Sequence, residues 1–503
     1  MKKTLKIFSL LIILTCLFMV SSCKKEKEPE KEKEESKVKI IEVYSINDFH
    51  GAIKDKAAIV GKMTKEYQNQ KDVGTVLVSA GDMFQGTALS NLNHGKDMID
   101  IMNEMKFDAM VVGNHEFDWG LEETLKYFDG DESNGEANFP LLSCNIIDKR
   151  TNSLPTNVKP STVVERNGLK IGIIGYMGYG LEYSIATKQV ENYEFVSPVD
   201  KVKEASYKLH TIDKVDIVIA VGHDANTTTN EDLSDLDGDY RVDGIVNGHT
   251  HVKSVGSNTR SSDHMNVPYV QASSSGKAIG KIRFSFDTES SKILTAKSST
   301  IAVNDNGKED AVIKKMVDDL MEATKDVFER VVGTAGRTLN KSEGAVWVAT
   351  VMRQYCEENY GECDVAFINT GGVREAAFPI NEGEAITVNR IFEISPFDNT
   401  IKIVSIKGKV LKSLIQNDNT LRPSGDSVKV SGASVYVNGL IIDEEATYRV
   451  ATVDFIFDKD AYPFNKGENI NETGMILRDV LVEWCDKATS NNKLCFMEGK
   501  GNE

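Results

Sequence analysis

Phe107-Asp108-Ala109-Met110-Val111-Val112-Gly113-Asn114-His115-Glu116-Phe117-Asp118 is an apolar run that stops abruptly in glycine, amide, imidazole and two acids. A buried strand that empties into such groups does not close a core easily, because buried polar groups need partners. A metal ion and a phosphate are natural partners for the cluster. Four other places in the first 260 residues repeat the design. Residues 40–46 end in Asn47-Asp48-Phe49-His50-Gly51, and residues 76–80 end in Gly81-Asp82. Residues 217–221 end in Gly222-His223-Asp224, and residues 244–246 end in Asn247-Gly248-His249-Thr250-His251. Packing alone does not explain five such endings.

Between these runs the chain alternates. Strand-like stretches fall at 38–46, 75–79, 109–112, 140–147, 170–176, 216–221, 244–247, 268–272 and 281–287, and helical ones at 56–70, 98–106, 121–128 and 199–212. This alternation predicts an α/β domain with β-rich later parts. Ligands of such sheets gather beyond the carboxyl ends of the strands, and all five polar clusters stand there. Residues 226–242 are polar and acidic but lack the terminal glutamate of a calcium loop, so they read as a solvated loop. Val312, Met316, Leu320, Ala323 and Val327 lie on one helical stripe, which predicts a helix over 308–332 joining two domains. From 333 to about 496 the pattern turns to α+β, with helices at 346–355 and 475–487 and strands at 364–369, 400–406, 428–438 and 448–453.

A chain of 503 residues exceeds one core, in line with two domains. Its 40% hydrophobic and 27% charged residues are those of a globular protein. A net charge of −17 argues against a nucleic acid polymer as partner, so a small anionic substrate must be held by local cations and metals. Lys2, Lys3 and Lys6 precede an apolar stretch, residues 8–20, that is too short to span a bilayer. Val20-Ser21-Ser22-Cys23 then resembles the lipobox of bacterial lipoproteins. It predicts a signal peptide over residues 1–22, a lipid on Cys23, and a protein exported and anchored to a bacterial membrane, at the periplasmic face or the cell surface. The Lys/Glu-rich residues 23–37 read as a solvated tether. Of seven cysteines, Cys16 leaves with the leader and Cys23 carries lipid. Cys144, Cys356, Cys363, Cys485 and Cys495 remain, enough for at most two disulfides whose pairing spacing does not fix. The sequence sets no oligomeric state.

The clusters have the chemistry of a metal site. Asp48 and His50 are one residue apart, so on extended backbone both point to one side, and His249 and His251 repeat that spacing. Gly81 allows backbone to approach Asp82 closely, and the Asp82 carboxylate can bridge two ions. Asn114 supplies a neutral carbonyl oxygen. Oxygen and imidazole together suit Zn, Mn, Fe or Co rather than Ca. Asp48, His50, Asp82, Asn114, His223, His249 and His251 are more ligands than one tetrahedral ion needs, and enough for two.

The same motifs, in this order over roughly residues 40–255, resemble the calcineurin-like metallophosphoesterases and, within them, the 5′-nucleotidase/UDP-sugar hydrolase family. The resemblance implies an α/β protein: an N-terminal β-sandwich flanked by helices (38–305), a linker helix (306–332) and a C-terminal α+β substrate-binding domain (333–503). It implies one divalent ion on Asp48, His50 and His251, a second on Asn114, His223 and His249, and Asp82 bridging both. The expected activity is hydrolysis of nucleotide phosphate esters or anhydrides by a hydroxide that the two ions activate. His115 would face the phosphate, and Asp118 would orient it and keep it cationic.

In the second half, Asn369-Thr370-Gly371-Gly372-Val373-Arg374 follows a strand, and Arg374 offers a planar donor fork for an anion. The resemblance makes Asn369, Gly371, Gly372 and Arg374 nucleotide contacts, Phe397 and Phe455 the aromatic clamp on the base, and Asp460 the counterpart of a family aspartate. Two departures stand out: Asp458-Lys459-Asp460-Ala461 is a shorter loop than the family's, and Ala345-Val346-Trp347 replaces a polar family segment. The alternatives are a 2′,3′-cyclic-nucleotide phosphodiesterase, a thiosulfohydrolase of the same superfamily, and a surface binding protein whose catalysis has decayed.

Overall fold

The computed structural model describes residues 37–361 and 363–496. The expected leader, Cys23 and the tether up to residue 36 lie outside the described residues. The ligand-bearing strands are β1 (Val38–Ile46), β2 (Val73–Ser79), β3 (Ala109–Val111), β4 (Ile217–His223) and β5 (Gly244–Asn247). They belong to two sheets. A seven-stranded sheet runs in the order Lys292–Ala302, Ala278–Asp287, β1, β2, β3, Leu141–Leu142, Val158–Lys159. A six-stranded sheet runs Lys253–Thr259, Asn266–Ala272, β5, β4, Leu169–Met177, Ser161–Arg166.

The two-residue period of a strand sorts side chains between layers. Ile41 and Val43 of β1 and Ile217, Ile219 and Val221 of β4 meet in the core between the sheets. Their neighbours face outward: Tyr44 and Ile46 pack under helices with Ile59, Met98 and Met102, and Val218 and Ala220 pack with Val202, Ala205 and Leu209. Two sheets are thus sandwiched between helical layers, as expected. β1, β2 and β3 are mutually parallel, as are β4 and β5. The register Ile46↔Ser79, Ser79↔Met110 and Gly222↔Asn247 brings their carboxyl ends to common edges.

The helix α1 (Ala311–Phe328) follows, capped by the Asp310 carboxylate, which accepts from the backbone N–H of Val312 and Ile313. Its buried face corrects the expected stripe. Val312 and Val327 are half exposed, whereas Ile313 and Val317 enter the first core, Phe328 enters the second, and Leu320 and Met321 touch both. The sequence carries two adjacent apolar stripes here, and packing against two bodies selects the later one. The C-terminal domain has a five-stranded sheet, Leu421–Pro423, β6 (Val365–Asn369), Thr447–Val453, Thr400–Lys407, Glu468–Ile476, under the helices Lys341–Tyr360 and Leu477–Ser490.

Other expectations change locally. Residues 428–438 are not one strand but a hairpin, Val428–Ser431 against Ser434–Val437, because Gly432 turns the chain at φ +57°. The expected strand 140–147 is split into Leu141–Leu142 and Ile146–Asp148, which pair in different sheets. The expected loop 226–242 opens with the helix Thr227–Ser234, whose first N–H groups donate to the Asn226 side chain. All five cysteines named above are buried free thiols; Cys356 hydrogen-bonds Cys363 and Cys485 hydrogen-bonds Cys495. No helix of the described residues is long and apolar enough to cross a membrane.

Candidate metal centre

His223 is the last residue of β4, and the other six proposed ligands sit on the turns that follow their strands, most of them sharply bent. Asp48, His50, Asp82, His249 and His251 all have positive φ, between 49° and 79°. That conformation costs a non-glycine residue roughly 1–2 kcal/mol, and such strain gathers where function requires it. Gly81 precedes Asp82 at φ +86°, and a Cβ there would lie 2.8 Å from the Gly113 Cα and from the His223 Nδ1. Only glycine lets the two ligand loops touch.

The side chains converge into two overlapping groups, Asp48, His50, Asp82 and His251, and Asp82, His223 and His249, each with its ligand atoms within 4.8 Å of one another. Asp82 is the shared member. His50 Nε2 lies 2.9 Å from His251 Nε2, and His251 Nε2 lies 3.5 Å from Asp48 Oδ1. Asn114 Oδ1 lies 2.9 Å from His223 Nε2 and 3.0 Å from His249 Nδ1, and His223 Nε2 lies 3.2 Å from Asp82 Oδ2. Atoms each about 2.1 Å from a tetrahedral ion are about 3.4 Å apart, so these spacings fit ligands of a common cation. The outward nitrogens fix the tautomers: His50 Nδ1 donates to the Gln85 carbonyl (2.9 Å) and His223 Nδ1 to the Ala80 carbonyl (2.8 Å). Each Nε2 then turns its lone pair to the cluster. Asn47 steadies Asp48 by donating to its carboxylate and to the Ser273 carbonyl.

Charge within the cage is uneven. Burial opposes ionisation of Asp82, yet His223, His115 and His50 hold its carboxyl well below the ordinary range. Burial likewise opposes a charge on His223, but Asp82 and Asp48 outweigh it and push the imidazole up to about 10. Burial and the cationic neighbours hold His249 and His251 at about 4, as neutral ligands. Cation uptake must therefore displace a proton from His223.

Glu116 braces this arrangement, in keeping with a structural rather than a ligand role. Its fully buried carboxylate accepts from three backbone N–H groups, those of Asp82 and Met83 (2.9 Å each) and Gly113 (2.7 Å). Burial and the nearby Asp82 push its pKa up to about 7. Glu116→Ala strands those three donors, and the expected loss is roughly 3 kcal/mol, read as a lowered thermal midpoint with bound ions absent or present.

Beside the cage lies a cavity of about 400 Å³ lined from both domains. His115 Nδ1 donates to Asp118 Oδ2 at 2.8 Å. Burial opposes charge on this imidazole, but Asp118 and Asp82 raise its pKa above the ordinary histidine value. Its Nε2 lies 3.4 Å from an Arg374 Nη2 that arrives from the loop after β6. The neutral Nε2 can accept from this guanidinium, and once protonated the two groups can donate to one anion beside them. Phe397 stacks on His115 (5.8 Å between centroids), with the Arg374 guanidinium 4.7 Å from its ring centroid. Asn369, Gly371, Gly372, Phe397 and Phe455 line the cavity as expected. Asp460 does not: it is exposed and accepts from Asn465 Nδ2, and the acids on that side of the cavity are Asp398 and Asp454. Gln85, Trp119, Tyr183 and Gln189 also line it and were not anticipated. The shortened loop instead reaches across: Lys459 donates to the carbonyls of Glu182 and Ile185 beside that wall.

Two family models match this chain: "Calcineurin-like phosphoesterase" over residues 41–253 and "5'-nucleotidase, C-terminal domain" over residues 292–466. A snake venom 5'-nucleotidase from Naja atra is 26% identical over 423 residues, covering 77% of this chain and 76% of that protein. Among solved structures, a 5'-nucleotidase precursor from Thermus thermophilus superposes with a TM-score of 0.73 at 22% identity, covering 89% of this chain and 96% of that one. A putative 5'-nucleotidase from Staphylococcus aureus superposes with a TM-score of 0.69 at 17% identity, covering 92% and 98%. These two share the fold of this chain.

Proposed function

We propose, from the premise that this chain belongs to the two-domain 5'-nucleotidase family of calcineurin-like metallophosphoesterases, a mechanism for its metal-dependent hydrolysis of nucleotide phosphoesters. The observation that carries the mechanism is the double cage around Asp82, set against a cationic His115 and Arg374. Asp48, His50 and His251 would hold one divalent cation, Asn114, His223 and His249 the other, with Asp82 between. A mixed imidazole, carboxylate and amide set favours Zn, Mn, Co or Fe. Such a cation pair supplies Lewis acidity at a phosphoryl group and lowers the pKa of a water.

The chain's own groups do the rest. Arg374 and the protonated His115 draw the phosphoryl oxygens to the cage, and His115 offers its Nε2 proton to the departing oxygen. Asp118 keeps that imidazole cationic and correctly turned. The C-terminal wall, with Phe397 and Phe455, presents flat apolar faces to a base, so the leaving group is a nucleoside or a nucleoside phosphate. The domains run 38–305 and 333–503 about the helix between them. Cleavage before Cys23 and lipidation of its thiol would tether the enzyme to a bacterial membrane on its exported face; Cys23→Ala should release it into the soluble fraction.

Hydrolysis of AMP to adenosine and phosphate, of UDP-glucose to UMP and glucose 1-phosphate, and of 2′,3′-cyclic AMP to a nucleoside monophosphate tests the reading. A chelator is expected to abolish turnover, and Zn, Mn or Co to restore it on the nucleotide substrates. Protein carrying two ions per chain that hydrolyses none of them would overturn it.

A further inference from the structure

Gln85 was not among the expected site residues, yet it occupies the junction of everything in the cavity. It stands in the turn after β2, three residues beyond Asp82, and is 1% exposed. Its backbone carbonyl accepts from His50 Nδ1 and so orients a cage ligand. Its side-chain Oε1 accepts from Arg374 Nη2 of the other domain at 3.4 Å. Its side-chain Nε2 is buried and has no partner, although the residue lines the cavity with Asp82, Asn114, His115 and Arg374.

Chemistry fixes which way the amide points. Arg374 has only donors, so the carbonyl oxygen must face the guanidinium and the N–H pair must face elsewhere. An amide N–H pair buried without an acceptor is unfavourable. Around it stand a guanidinium and an imidazole that also donate. The cavity also carries the carboxylates of Asp82, Asp118, Asp398 and Asp454, but none of them accepts from the Gln85 Nε2, so an oxyanion held by Arg374 and His115 is the acceptor that this amide lacks.

We propose that Gln85 is a phosphate-positioning residue: its Nε2 donates to an oxygen of the substrate's phosphoryl group while its Oε1 holds Arg374 against the same group. This rests on the phosphoester reading above. The residue then links three things through separate atoms: the backbone oxygen steadies a cage ligand, the amide oxygen docks the second domain's arginine, and the amide nitrogen grips the anion. Arg374 reaches the phosphate in this geometry only with the two domains in contact, so Gln85 joins domain closure to anion binding.

Substitution of the side chain spares the backbone carbonyl, which makes the test selective. Gln85→Leu removes both amide functions at similar volume. Gln85→Glu keeps an acceptor for Arg374 but puts a negative charge where the donor stood. Each variant is purified, its bound metal measured, and inorganic phosphate used as the probe through its inhibition constant, alongside KM and kcat for AMP. Gln85→Leu is expected to raise both the phosphate inhibition constant and KM about tenfold, as loss of one hydrogen bond to a charged group does. Gln85→Glu is expected to raise them further, about a hundredfold, with kcat in Gln85→Leu within about threefold of wild type and metal content unchanged in both. Phosphate inhibition constants within twofold of wild type in both variants overturn the proposal. So does a loss confined to kcat and metal content, which would mark a structural role. A wild-type protein that binds phosphate with the expected variant dependence yet hydrolyses no nucleotide would instead sink the phosphoester reading and leave Gln85 as an anion ligand.

Discussion

Asp82→Asn is expected to abolish activity, by about a thousandfold or more in kcat/KM, and to lower bound metal from two ions per chain to one or fewer. The expectation comes from what each carboxylate oxygen does. Oδ1 accepts from the His115 backbone N–H at 2.9 Å, and Oδ2 faces His223 Nε2 at 3.2 Å and His50 Nε2 at 4.0 Å. The residue is 1% exposed, so water cannot take over either duty. An asparagine must choose. With its oxygen toward the His115 N–H, its NH2 points at the cage, where it repels cations instead of binding them. Turned over, its NH2 meets the His115 N–H donor to donor. Either arrangement removes the only side chain common to both ligand groups. It also removes the charge that does most to raise the His223 pKa against burial. A carboxylate shared by both groups would let two ions act on one phosphoryl group, so the expected loss exceeds that of a single positioning donor, about 10²–10³-fold. Elemental analysis of the purified variant, with phosphate release measured at saturating Zn or Mn, checks it. Retention of two ions at wild-type rate would mean that Asp82 bridges nothing. The turn itself should survive, because Glu116 grips its backbone independently of the side chain.

The ligand set was legible because each ligand ends a strand, and a strand of isoleucine and valine that stops in Gly-Asp or Gly-His is visible without knowing what lies beside it. All seven proposed ligands come together in the fold. Legibility failed wherever a second body decides. Val312 and Val327 of the expected stripe are as helical as Ile313, Val317 and Phe328, and only two cores pressing on one helix distinguish them, while Met316 and Leu320 of that stripe do pack. Glu116 reads as structural from the sequence, but its three partners, which lie in two different turns, are not legible there. Gln85 has no local signature, since its partners are 35 and 289 residues away. The threonines of Thr227–Ser234 disfavour helix on propensity alone, and the Asn226 cap was the signal that outweighed them. Asp460 was placed by analogy across a loop of different length, and a shortened loop does not carry its side chains to the same place.

His115→Ala should separate chemistry from metal binding. The imidazole belongs to neither ligand group, so the variant is expected to hold two ions per chain as wild type does. Its kcat should nonetheless fall by about 10²–10⁴, the usual worth of a positioned general acid. The geometry argues for an acid more than for a simple anchor. Nδ1 is committed to Asp118 at 2.8 Å, which leaves Nε2 as the only nitrogen that faces the cavity. Asp118 and Asp82 raise its pKa against burial, so the ring is more often charged than an ordinary histidine. Asp118 and Asp82 support that charge on one side, and a phosphoryl oxygen in the cavity would accept from the ring and from Arg374 on the other. Removing the ring leaves Arg374 and the cage to bind phosphate, so KM should change far less than kcat. The leaving group supplies a sharper readout. An ester of p-nitrophenol departs as a stable anion and needs little proton donation, whereas a nucleoside alkoxide needs it fully. The variant should therefore lose at least tenfold less on p-nitrophenyl phosphate than on AMP. Equal losses on both would reassign His115 from proton donor to electrostatic clamp, and no loss on either, with the cage filled, would remove it from the reaction. Asp118→Asn should shift the same balance more gently, because an amide still accepts from Nδ1 but no longer supports the ring's charge.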